Sequence, residues 1–180
     1  MLFIPVLLGG IAALALIAQS FQDMLKRYVF IMPFTISLLV ISAMTIVNYN
    51  APGKNLVKLA IIAGIALILT CALLLDIKFN NEEKMGGADV VGFISILATI
   101  IGVGIMYIVT DQSIAQLLVW IGNNVFVPLL PSLVILGLIE FIFVQYKKRK
   151  GQDYSFQAPI VPAIVVVTIF MFFSSSIQYI

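Results

Sequence analysis

Histidine is absent from this sequence, cysteine occurs once, and charged residues make up only 10% of it. Without histidine there is no Ser-His-Asp or Cys-His arrangement to build, and no imidazole cluster to hold a metal. The lone thiol, Cys71, excludes an intramolecular disulfide and a zinc-thiolate module within the chain. No Gly-rich loop leads into Lys-Ser or Lys-Thr, so a phosphate cradle of that kind is also excluded. What remains for chemistry is carboxylates, hydroxyls and lysines. No metal or other cofactor is expected.

Hydrophobic residues make up 62% of the 180, more than a soluble core of this size absorbs, so the expected solvent is lipid. Unsatisfied backbone groups are costly in hydrocarbon, which leaves helices or a closed barrel. The apolar runs are continuous instead of alternating, and they read as helices. A spanning helix needs roughly 20 apolar residues. Segments of that kind lie at about Leu2 to Gln22, Tyr28 to Val47, Leu56 to Leu75, Ala88 to Val109, Val125 to Gln145 and Ala158 to Ile177. The expectation is an all-α membrane protein, a polytopic bundle of about six transmembrane helices, with residues 1–180 forming a single domain. Met1 opens the first segment without a basic region before it, which favours a spanning helix over a cleavable signal peptide. The stretch from Gln112 to Ile121 is too short to span and is expected at the interface or re-entrant, with Trp120 as an amphipathic anchor.

Lys26, Arg27, Lys78, Lys84, Lys147, Lys148, Arg149 and Lys150 follow the first, third and fifth segments, whereas the other side holds only Lys54 and Lys58. By the positive-inside rule the first group is cytoplasmic and both termini lie outside. The run Lys147 to Lys150 reads as a positive-inside anchor, with anionic-lipid binding as the alternative. Pro128, Pro131, Pro159 and Pro162 crowd the starts of the last two segments and read as helix starts rather than kinks.

Among the acidic residues, Asp23 ends the first segment and Asp89 opens the fourth, both beside apolar sequence where an ionised group is expensive. The antiparallel run of the helices gives them similar depth. Packing the first helix beside the fourth would bring the two carboxyls together, and such a pair shares a proton. One carboxylate then activates water while its protonated partner polarises a scissile carbonyl. A helix N-terminus favours an anion, which suits Asp89 as base and Asp23 as acid. Gly86 and Gly87 permit unusual backbone angles and close approach of a substrate strand, or simply form a loop turn. Asp76 is a rival partner for Asp89, expected instead as an interfacial residue near Lys78. Glu140 lies within the fifth segment and is either a functional intramembrane carboxylate or a partner of Lys147 or Lys148. Asp111 reads as a loop residue or helix N-cap. Gly9, Gly10, Gly64, Gly102 and Gly104 offer close helix packing.

Gly86-Gly87-Ala88-Asp89 resembles the GxGD motif of archaeal preflagellin (archaellin) and type IV prepilin peptidases. Gln22-Asp23-Met24-Leu25-Lys26-Arg27 resembles the first-aspartate motif of the same family, an aspartate ending the first helix ahead of basic residues. The gap between the aspartates and the six-helix plan also suit its small archaeal members. The resemblance implies a membrane aspartyl endopeptidase that removes class III signal peptides from archaellin or pilin-like precursors at the cytoplasmic face. Asp23 and Asp89 would be catalytic, without a metal. Val90 and Val91 stand where many relatives carry a basic residue, and the Pro-Asn often found after the first motif is missing. The cysteine-rich segment of many bacterial relatives is also missing, which argues against an accompanying N-methyltransferase activity. Glu82 and Glu83 sit beside the proposed site and either guide a cationic leader peptide or end a solvated helix with Lys84. The alternatives are a small proton- or cation-coupled transporter or channel subunit, and an inactive homologue of the peptidase. The lipid bilayer and precursor proteins are the expected partners, with no nucleic acid.

Overall fold

A computed structural model describes residues 3–79, 87–152 and 155–177, and all its regular structure is helical. The helices are α1 (Phe3–Lys26), α2 (Ile31–Asn48), α3 (Asn55–Phe79), α4 (Gly87–Val109), α5 (Ile114–Ile121), α6 (Val127–Arg149) and α7 (Ile160–Ile177). Five helical stretches are long and apolar enough to cross a membrane: Ile4–Lys26, Ile31–Asn48, Asn55–Lys78, Gly87–Val109 and Ile114–Arg149. Ile160–Ser176 is apolar but shorter. Large apolar side chains such as Leu56, Leu67, Ile108, Val134 and Ile142 point outward, as lipid-facing surfaces require. The fold and the composition therefore agree on a multi-pass membrane protein.

The centre is built from α2 and α7. The former packs against α1, α3, α4 and α7, and the latter against α1, α2, α4 and α6. Phe34, Leu38, Ile41 and Ile46 of α2, with Val167, Met171 and Phe172 of α7, are almost fully enclosed. Polar residues on these helices join them where a hydroxyl in hydrocarbon needs a partner. Ser42 Oγ lies 3.2 Å from Ser95 Oγ and 2.9 Å from Thr99 Oγ1, linking α2 to α4. Asn48 donates its amide to Ser176 Oγ over 2.8 Å, linking α2 to α7.

Some glycines matter at these seams. A Cβ on Gly9 would strike the Phe172 ring, and one on Gly102 would lie 2.7 Å from Ile61 Cγ2. Gly104 approaches Leu117 in ordinary contact, whereas Gly10 and Gly64 have open space beside them. Gly92, which the sequence does not single out, meets Ile164 at 2.8 Å by the same construction.

The region before α6 departs from expectation. Rather than forming a separate short segment, Ile114–Ile121 continues through a π-helical turn, Gly122–Phe126, into α6, giving one helical run of 36 residues. The wide turn has a physical cause. Pro128 has no N–H for the Asn124 carbonyl and its ring crowds that group; a π turn, in which Val127 N–H reaches Gly122 C=O, absorbs the mismatch. Pro128 and Pro131 thus sit inside a continuous run, while Pro159 precedes α7 and Pro162 lies in its first turn as expected. Trp120 is buried in the core, not an exposed anchor, and its carbonyl accepts the Asn124 amide at 2.8 Å. The N-cap of α5 is Ser113, in a capping box with Gln116. Asp111 is the loop residue of its two expected roles, in the α4–α5 turn at a left-handed position, φ 55°, which aspartate tolerates better than most residues.

Candidate active site

Alternation of the helices brings the ends of α1 and α3 and the starts of α2, α4 and α7 to one end of the bundle. That end carries Lys26, Arg27, Lys78 and Lys147 to Lys150; Lys54 and Lys58 lie at the other. A cavity of about 720 Å³ opens there. Asp23, Arg27, Asp76, Gly87, Asp89 and Gln157 contribute to its wall, together with the Tyr28 to Pro33 entry into α2 and with Ala88, Ala158 and Val161.

Asp23 and Asp89 thus face one space, although not by the packing first expected. No substantial contact joins α1 to α4; each packs on α2 and α7 instead, and the two aspartates line one cavity beside those helices. Both are partly buried. Asp23 feels the charges of Asp89, Arg27 and Glu140. Asp89 lies in the first turn of α4, where unpaired backbone N–H groups favour a negative charge. Asp23 lies in the last turn of α1, among carbonyls, four residues before Arg27, whose N–H donates to the Asp23 carbonyl over 2.8 Å.

Gly87 is buried, and its missing side chain leaves the space that the Asp76 carboxyl occupies. A Cβ there would fall on the Asp76 carboxyl group, so the close approach this glycine permits is to a neighbouring helix. Asp76 accordingly lines the cavity as a third carboxylate. Among the described residues no three His, Cys, Asp or Glu side chains gather in a way that would hold a metal ion. Gly86, Glu82, Glu83 and Lys84 lie outside the described residues.

Glu140 is almost completely buried, 1% exposed, and its partner is Arg27 of α1 rather than Lys147 or Lys148. Lys147 instead sits over the Phe143 ring, 5.3 Å from its centre. Arg27 also donates to Gln157 Oε1 at 3.1 Å and to the Ser155 carbonyl at 3.2 Å, so one guanidinium gathers α1, α6 and the α6–α7 connection. The sequence reads Arg27 as a cationic anchor and as one of the basic residues after the first aspartate, but not as the partner of Glu140. The clue to its role lay in Glu140, a carboxylate in an apolar helix that had to find a cation.

The arrangement offers two carboxylates at an accessible cavity, a third beside them, and a cation held at the rim. Comparison of the chain with protein-family models, curated proteins and solved structures finds no match in any of the three. The likeness to the peptidase motifs therefore stands on those residues alone, and the geometry of the cavity carries the functional reading.

Proposed function

We propose that the protein is a membrane aspartyl endopeptidase, acting on class III signal peptides of archaellin or type IV pilin-like precursors. The observation that carries this reading is the meeting of Asp23 and Asp89 at one cavity from two helices that do not otherwise pack together. Asp89, at a helix N-terminus, takes the proton of an attacking water as general base. Asp23 holds a proton toward the scissile carbonyl oxygen and stabilises the tetrahedral intermediate; a proton delivered to the departing amine completes cleavage. The basic residues around the same end of the bundle support a cytoplasmic location for the cavity, and hence outward termini.

The test is cleavage of an archaellin or pilin precursor by detergent-solubilised full-length protein. Wild type should yield the shortened product, and Asp23→Asn and Asp89→Asn should each abolish it, with a loss of at least about a thousandfold expected when half of a two-carboxylate unit is removed. Normal cleavage by either variant, or several precursors left intact by well-folded wild type, overturns the proposal. Matched pH–rate profiles of the two variants with residual activity check which aspartate serves as base, since the pair titrates as a unit.

A further inference from the structure

Beyond the two aspartates, the bundle holds a buried charged group that the proposed chemistry does not use. Glu140 lies within α6, 1% exposed, and receives Arg27 from the end of α1. Such a pair is costly to bury and is kept only where its geometry is well satisfied. Here it is: the same guanidinium holds the Gln157 side chain and the Ser155 carbonyl. Arg27 does this from a left-handed backbone conformation, φ 59°, uncommon for a long side chain, immediately after α1 ends.

Two further facts give the pair a direction. First, α1 packs on α2 and α7 but shares no substantial packing with α6, so Arg27 is a bridge between helices that side-chain packing leaves apart. Second, Arg27 follows the last residue of α1, its N–H still bonded to the Asp23 carbonyl one turn back, and both residues line the cavity. Among the described residues, Glu140 on α6 and Gln157 and Ser155 before α7 bond to it, and Asp23, Asp76 and Asp89 line the same cavity.

We infer that the Arg27–Glu140 bridge is a positioning device that fixes the last turn of α1, and with it the Asp23 carboxyl, relative to Asp89. This rests on the peptidase reading for its kinetic consequence, but its structural content is independent of it. Arg27 and Glu140 are positioning residues: they hold the helix end that carries the acid, and neither contacts the scissile bond.

Three variants separate positioning from mere support of the fold. Arg27→Met and Glu140→Gln each remove one partner, and the double variant removes both while keeping side-chain bulk. Each single variant should lose kcat by about a hundredfold, the scale of a misplaced catalytic group, with KM nearly unchanged. The double variant should recover thermal stability, because no buried charge is left unmatched, yet stay as slow as the singles. A double variant that regains wild-type kcat along with its stability overturns the inference, as does a loss seen only in KM.

A second readout needs no turnover. In a Cys71→Ser background, nitroxides on the exposed positions Leu25 and Ile142 report the separation of α1 and α6 in the full chain. The distance distribution should be narrow with the bridge and clearly broader in Arg27→Met; equal widths overturn the inference. If wild type cleaves no precursor, the peptidase reading fails, and the spin-label widths alone decide whether the latch exists.

Discussion

A glycine's worth in this bundle depends on what stands opposite it. At Gly9 the fully buried Phe172 ring occupies the place of a Cβ and has no free volume to move into, so Gly9→Ala should lower stability by about 1–3 kcal/mol. Its neighbour Gly10 has open space, and Gly10→Ala should be neutral or stabilising by up to about 1 kcal/mol, the helix-propensity gain. Thermal unfolding of the two variants in one detergent checks both signs. Gly87 makes a sharper case, because the atom opposing it belongs to a charged group at the cavity. Gly87→Ala should destabilise by displacing Asp76, and adding Asp76→Ala should return most of the loss. Additive losses in the double variant would remove the link between them. The Gly-Gly-x-Asp string alone shows that a glycine is needed, but not which helix presses against it.

Elements were the most legible scale. Six apolar runs predict six hydrophobic segments, and the ends of α1, α2, α3 and α4 fall close to where the composition changes. Before α6, the stretch to Ile121 reads as too short to span and Pro128 as a helix start; a π turn instead carries the chain past Pro128 without ending the helix. Packing partners were less legible than the helices themselves. The common end shared by Asp23 and Asp89 follows from alternating direction, but the intervening α2 and α7 do not, and neither does a pairing 113 residues apart such as Arg27 with Glu140. The α2–α4 seam offers an element-scale test. Thr99→Val removes a hydroxyl lying 2.9 Å from Ser42 Oγ, and should cost about 0.6 kcal/mol, the usual scale for a hydrogen bond between membrane helices. A cycle with Ser42→Ala that shows no coupling would assign the seam to packing alone.

For the whole molecule, the ordering of charge is the organising fact. Among the described residues, Asp23, Asp76 and Asp89 share one end with most of the cations while Asp111 lies at the other, and the middle is held by apolar contact with a few hydroxyl links. One helix runs the full depth of this arrangement. At about 1.5 Å per residue its 36 residues reach roughly 54 Å, against about 30 Å of hydrocarbon in a typical bilayer. The excess is met by leaning, by bending at the π turn, or by projecting into the headgroups. Since Glu140 rides on this helix and grips the end of α1, any lean is passed to the carboxylate side of the bundle. Cleavage after reconstitution into lipids of graded acyl-chain length should therefore vary with chain length, and vary less in Arg27→Met; equal rates across the series would show that the rod projects freely. On the peptidase proposal, that dependence would make bilayer thickness a mechanical input to the site, transmitted along a single over-long helix.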